Sequence, residues 1–279
     1  MTDTNPNAPG WHDRQYDPRT PETSIPAVIG GWMARSKAFL ETRQPVSFAY
    51  GPHAKEGLDF FRAEDAKGVM IFFHGGFWRS CSKEDHDWVA RDFVRHGISV
   101  AILDYPLCPQ SRFADINASV IGALPFLFAR VLDSREKARV MVAGHSAGGY
   151  LAGLYQITDW TKHGLERRPF GAMYAISGIF DLRPLTRTLM NEWLGLSAAD
   201  AAALSVDDKT AIVGAASVLA VGERESAEFH RQSDDLAKHW PAVTDVLELE
   251  GRAHFDALDD FALEGGALFR RALSYFSGV

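Results

Sequence analysis

One α/β domain, built on a mainly parallel central sheet flanked by helices on both faces, is the architecture this sequence predicts. Three observations predict it. Short runs that are apolar without interruption, such as Val69-Met70-Ile71-Phe72-Phe73, recur along the chain, as strands buried on both faces require. Stretches with apolar residues at helical spacing separate them. The alternation is sustained over most of the 279 residues, a length that α/β folds often hold in one domain.

Residues 1–24 are polar and carry Pro6, Pro9, Pro18 and Pro21, which predicts an irregular N-terminal arm ahead of a domain at 25–279. Residues 25–41 place Val28, Ile29, Trp32, Met33 and Phe39 at loosely helical spacing. Residues 46–50 and 58–62 read as two short strands around the Gly51-Pro52 turn. Val69–Phe73 follows as a fully buried strand, bounded by Gly68 and by His74-Gly75-Gly76. Ser82-Lys83-Glu84-Asp85 is a capping-box start for a helix with Trp88, Val89 and Phe93 on its apolar face, and Gly97 ends it.

Residues 98–103 form the next buried strand. Ile116, Val120, Leu124, Leu127 and Val131 then make a helical stripe, with Pro125 a point of kinking. Residues 139–144 read as a strand and 147–157 as a helix of small residues. Two more strands, 171–176 and 217–221, flank a mixed segment at 181–214, the candidate for a lid over the sheet's carboxyl edge. Residues 226–239 read as a helix and 244–249 as a strand. The final helical stretch, 258–276, contains Gly265-Gly266, which argues against its continuity.

Composition excludes several classes. At 46% hydrophobic residues the chain can bury a large core and is not a disordered one. A net charge of −7 argues against nucleic acid or an anionic membrane as partner. Cys81 and Cys108 lack a C-x-x-C pairing and read as reduced thiols. The opening residues Met1 to Pro6 show neither a basic n-region nor an apolar h-region. The apolar-leaning stretches 170–180 and 211–222 fall short of the ~18–20 residues a spanning helix needs. A soluble, cytoplasmic protein acting on a small molecule is therefore expected, with homo-oligomerisation left open.

Chemistry concentrates in three places. Gly144-His145-Ser146-Ala147-Gly148 matches G-x-S-x-G and stands between a strand and a helix, the setting of a nucleophile elbow. A serine hydroxyl needs a base oriented by a carboxylate, and in this architecture the chain order is Ser, acid, His. His254 follows the 244–249 strand and so emerges at the carboxyl edge. His53, His86, His96, His230 and His239 fit that position less well. The acid belongs just past the 217–221 strand, where Glu225 is the choice and Glu223 the alternative; Asp181, after the preceding strand, is a third. His74-Gly75-Gly76-Phe77-Trp78 supplies the last element. Its glycines free the Gly76 and Phe77 N–H groups to meet a developing oxyanion together with Ala147 N–H. Phe77, Trp78, Tyr105 and Trp193 could wall an aryl pocket, although each suits the core better, and Arg183, Arg187 and Asn191 in the candidate lid could meet a substrate carboxylate, although solvated surface is the preferred reading. No H-E-x-x-H, G-x-G-x-x-G or Walker pattern is present, so no metal, flavin or nucleotide cofactor is expected.

With these residues in place the chain resembles the α/β-hydrolase superfamily, and within it the H-G-G-x-W enzymes related to kynurenine formamidase. Further matching segments are Tyr105-Pro106-Leu107-Cys108-Pro109, Thr158-Asp159-Trp160, Ser177-Gly178-Ile179-Phe180-Asp181-Leu182, Asn191-Glu192-Trp193-Leu194-Gly195-Leu196 and Glu228-Phe229-His230-Arg231-Gln232-Ser233. That family usually has Asp where this chain has Glu225. The elbow also continues Gly148-Gly149-Tyr150, which differs from the formamidases. The resemblance implies an α/β-hydrolase fold with a short lid insertion and N-formyl-kynurenine, or a similar N-formyl arylamine, as the first substrate to try. The residues themselves imply an acyl-enzyme route on a small ester or aryl amide. A short-chain carboxylesterase is the alternative, and a binding scaffold with a silent elbow the rival from another class. Activity should rise with pH through one ionisation near ~6–7 as a histidine base loses its proton.

Overall fold

In the computed structural model, which describes residues 5–277, the apolar runs become eight strands of one sheet. They are β1 (Val46–Ala49), β2 (Gly57–Phe61), β3 (Val69–Phe73), β4 (Ser99–Leu103), β5 (Val140–His145), β6 (Ala172–Ile176), β7 (Ala216–Gly222) and β8 (Val243–Leu249). Their spatial order is β1-β2-β4-β3-β5-β6-β7-β8. β2 pairs antiparallel with β1 and β4, and every pairing from β4 to β8 is parallel. Each expected strand is present to within about two residues at its ends, the usual scatter of such boundaries.

Two apolar clusters form the core, one on each face of the sheet. The central strands feed both, because successive side chains point to opposite faces. Val69, Ile71 and Phe73 join the cluster under the helices Phe113–Arg130, Ala147–Ile157 and Ala227–His239. Met70 and Phe72 join the other, under Ile25–Thr42, Ala90–Arg95, Ala257–Ala262 and Ala267–Ser277. The last two helices stop short of one another around Gly265-Gly266. A Cβ on Gly266 would lie 1.8 Å from the Asp260 carbonyl oxygen, so only glycine passes there.

Pro125 does not interrupt its helix, which runs unbroken over Phe113–Arg130. This helix is long and apolar enough, by length and composition, to cross a bilayer, and neither stretch considered from sequence included it. In the fold its Ile116, Val120, Leu124 and Leu127 are buried against the sheet. The N-terminal arm also departs from expectation. Its first four residues lie outside the described residues, but Trp11–Gln15 is helical and Trp11 and Tyr16 are buried. The physical reason is long-range: Tyr16 Oη donates to Glu228 Oε2 at 2.7 Å, and Gln232 Nε2 donates to Tyr16 Oη at 2.9 Å. Those partners lie in the helix Ala227–His239, where no local pattern could reveal them.

One buried group is not stabilised by its surroundings. Asp87 is 1% exposed, and neither of its carboxylate oxygens has a hydrogen-bond partner among the described residues. Burial, and then the negative charge of Asp59, push its carboxyl up to about 8, with Lys83 opposing. A carboxyl whose folded value lies above its unfolded one costs stability once it must ionise. The cost is absent below the ordinary aspartate range, grows as the pH rises, and is complete above about 8. Asp87→Asn is therefore expected to raise Tm at pH 8.5 by roughly 2–5 °C, with the gain shrinking towards pH 4.5. Thermal unfolding at the two pH values checks this, and an equal change at both would refute it.

Candidate active site

The parallel strands bring their carboxyl ends to one edge, and register decides which loops meet there. Phe73 lies opposite Gly144, so the loop after β3 runs beside the turn after β5. His145 lies opposite Ile176 and Gly222 opposite Leu249, which lines up the loops after β6, β7 and β8 in turn.

β5 ends at His145 and the helix Ala147–Ile157 starts two residues later, leaving Ser146 alone to make the turn, at φ 56° and ψ −118°. For a residue with a Cβ such backbone costs on the order of 1–3 kcal/mol. Its neighbours hold it there. A Cβ on Gly144 would lie 2.0 Å from Gly148 O, and one on Gly148 would lie 2.0 Å from Phe73 O. Ser146 N–H also donates to Ile176 O at 2.8 Å, pinning the turn to β6.

His254 is 3% exposed in the loop after β8. Its Nδ1 donates to Glu225 Oε2 at 2.7 Å. With Nδ1 the donor, a neutral ring presents Nε2 as its acceptor. Glu225 Oε1 accepts from Gly222 N–H at 2.7 Å and from Ser177 Oγ at 2.5 Å. Burial alone would raise the Glu225 carboxyl; the charge of His254 and the bonds from His254, Ser177 and Gly222 outweigh it and hold it below the usual glutamate range. The other two candidate acids are engaged elsewhere. Asp181 Oδ1 accepts from Arg183 Nε at 2.6 Å, and Glu223 Oε2 accepts from Gly251 N–H at 2.7 Å.

His145 supports this arrangement from behind. Its Nε2 donates to His254 O at 2.8 Å, and burial, then the charge of His254, bring the ring down to about 3. The ring is therefore neutral and fixes the backbone of His254.

After β3 the chain takes three left-handed residues in succession, Gly76 at φ 111°, Phe77 at 51° and Trp78 at 53°. A Cβ on Gly76 would lie 2.1 Å from Ser80 O. His74 anchors the loop through Gly75 O at 2.6 Å and Asp104 Oδ1 at 3.2 Å, with its ring stacked on Tyr105. Among the described residues the N–H groups of Gly76, Phe77 and Ala147 have no acceptor. Ala147 N–H also opens a helix, where the backbone dipole favours negative charge.

Ser146, His254, Gly76 and Phe77 line a cavity of about 610 Å³. Its other walls are Tyr16 and Arg19 from the arm, Ile29 and Trp32 from the first long helix, and Leu189, Met190 and Trp193 from the segment between β6 and β7. The aromatic residues expected at this wall divide. Phe77 and Trp193 line it, but Trp78 and Tyr105 do not. Trp78 is fully buried between Phe113 and Tyr150, and Tyr105 is fully buried with Oη donating to His74 O at 2.7 Å. Both are core residues that support the loop, because packing on Phe113 and Tyr150 takes up the Trp78 ring and stacking on His74 takes up that of Tyr105. Cys81 also borders the cavity, as a thiol that burial pushes up to about 11.

Sequence reasoning missed Ser177, Tyr16, Leu189 and Met190. Ser177 had a signal, since it directly follows β6 at the same edge as Ser146. Leu189 and Met190 lie in the 181–214 segment expected over that edge, although nothing singled them out within it, and Tyr16 is held there by a distant helix.

A family model described as an alpha/beta hydrolase fold matches residues 70–249, taking in Ser146 and Glu225 and ending before His254. The kynurenine formamidase of Danio rerio is 27% identical over 239 residues, covering 80% of each chain. That of Drosophila melanogaster is 25% identical over 286 residues, 94% of this chain and 93% of that one. Among solved structures, a protein of Silicibacter sp. TM1040 provisionally described as a thioesterase superposes with TM-score 0.83 at 26% identity, over 92% of this chain and 96% of that one. An esterase of Pyrobaculum calidifontis superposes with TM-score 0.67 at 18% identity, over 91% and 94%, a likeness of fold alone.

Proposed function

This chain belongs to the α/β-hydrolase-fold family, and from that premise we propose that it is a serine hydrolase cleaving the acyl bond of N-formyl arylamines, N-formyl-kynurenine first among them. The observation that carries the reading is the 2.7 Å bond from His254 to a buried Glu225, at the wall of the cavity that also holds Ser146. The formamidase relatives support the substrate class.

In the reaction, Ser146 Oγ attacks the formyl carbon while His254 Nε2 takes the hydroxyl proton. Glu225 stabilises the imidazolium and keeps the ring oriented. The oxygen of the tetrahedral intermediate receives the N–H groups of Gly76, Phe77 and Ala147. His254 then returns the proton to the leaving nitrogen as the C–N bond breaks, freeing the arylamine and leaving a formyl ester on Ser146. Water attacks that ester, again giving its proton to His254. Collapse of the second intermediate returns a proton to Ser146 Oγ and releases formate.

A cavity with Leu189, Met190 and Ile29 on its walls also favours a second reading, a short-chain carboxylesterase. Parallel kinetics on N-formyl-L-kynurenine and p-nitrophenyl acetate separate the two. The first reading expects the larger kcat/KM on the formyl compound. Rapid ester cleavage with none of the formyl compound would keep the chemistry and discard the substrate.

A further inference from the structure

Resting on the reading of an acyl hydrolase with an amino-acid leaving group, we propose that Arg79 sets specificity by binding a carboxylate on the substrate. Arg79 stands two residues past Phe77, on the loop that presents the oxyanion N–H groups, and lines the same cavity as Ser146. Its guanidinium carbon lies 3.7 Å from the centroid of the Trp193 ring. Stacking of this kind holds the guanidinium plane while its N–H edge stays open to a ligand.

The other charged groups around the cavity are occupied. Arg19 holds Asp17 through Nε at 2.7 Å and Nη2 at 2.5 Å. Asp13 accepts from Leu189 N–H at 2.6 Å, and Asp85 from Ser82 N–H at 2.9 Å. The three lid residues that the sequence offered for a carboxylate, and that read first as surface, are likewise taken. Arg183 pairs with Asp181, Arg187 donates to Pro6 O, and Asn191 Nδ2 donates to Leu196 O. Among the described residues no acceptor takes a side-chain N–H of Arg79. A cation left in this state, fixed on an aromatic face at the wall of a substrate cavity, fits a carboxylate through two parallel charge-assisted bonds.

The test compares kcat/KM within two pairs that differ in one carboxylate: N-formyl-L-kynurenine with its primary carboxamide, and 3-acetoxybenzoate with phenyl acetate. Wild type should favour the carboxylate member by on the order of 10- to 100-fold. In Arg79→Ala the ratio should fall to about one, and in Arg79→Lys to an intermediate value, because lysine keeps the charge and loses the fork. A wild-type ratio near one, or a ratio undiminished in Arg79→Ala, overturns the proposal. Cleavage of the esters without the formyl compounds overturns the formamidase reading instead, and the ester ratio then decides the role of Arg79.

Discussion

Ser146→Ala is expected to lower kcat by on the order of 10⁴- to 10⁶-fold on whichever ester or formanilide wild type cleaves best, with the fold intact. The N–H groups of Gly76, Phe77 and Ala147 and the cavity survive the change, so a residual rate above that in water should persist and KM should move little. Stability should also move little. Alanine meets the same left-handed backbone at this position as serine, and the side chain removed makes no hydrogen bond among the described residues. Single-turnover kinetics beside a thermal melt checks both halves. Activity retained within tenfold would refute Ser146 as nucleophile, and a collapsed melt would move the loss from chemistry to folding.

Glu225→Gln should be almost as severe, on the order of 10⁴-fold in kcat, for a reason the geometry makes specific. Glu225 Oε1 accepts two donors, and the Gly222 N–H cannot turn away. A glutamine must keep its oxygen there and present its amide nitrogen to His254 Nδ1. That nitrogen then has to accept, which places the ring proton on Nε2 and removes the acceptor Ser146 needs. The acid limb of stability should change as well. A carboxyl depressed in the folded state stabilises above the ordinary glutamate range, and that contribution is lost as pH falls through its lowered value. Glu225→Gln should therefore flatten the decline of Tm below about pH 4.5. A variant with full kcat, or an unchanged acid limb, would count against this pairing.

The sheet and the Ser146 turn were legible in the sequence because both are written locally. A strand buried on both faces needs an unbroken apolar run, as Val69–Phe73 shows, and a turn this tight needs small residues at Gly144 and Gly148. Chain order likewise brought Glu225 and His254 into view, although only coordinates separate Glu225 from Glu223 and Asp181. Three carboxylates within reach of one edge look alike until their hydrogen bonds are known. Trp78, Tyr105 and Trp193 mark the limit. All are aromatic and stand in segments singled out from sequence, yet two are packed fully into the core and one lines the cavity, a difference that tertiary packing decides.

The docking of Tyr16 has a consequence for how the molecule comes into being. Its partner Glu228 lies 212 residues further along the chain. At about 5–20 residues per second, a ribosome that has released Tyr16 needs roughly 10–40 s more to deliver Glu228. Through that interval Tyr16 and the cavity-facing residues Asp17 and Arg19 beside it lack their anchor in the helix Ala227–His239, and the cavity lacks one of its walls. The residues that hold the Ser146 turn, as far as Ile176, are all synthesised before then. Completion of the cavity is thus tied to synthesis of the helix Ala227–His239, so a chain cut before it carries every residue of the Ser146 turn without the anchor of one cavity wall.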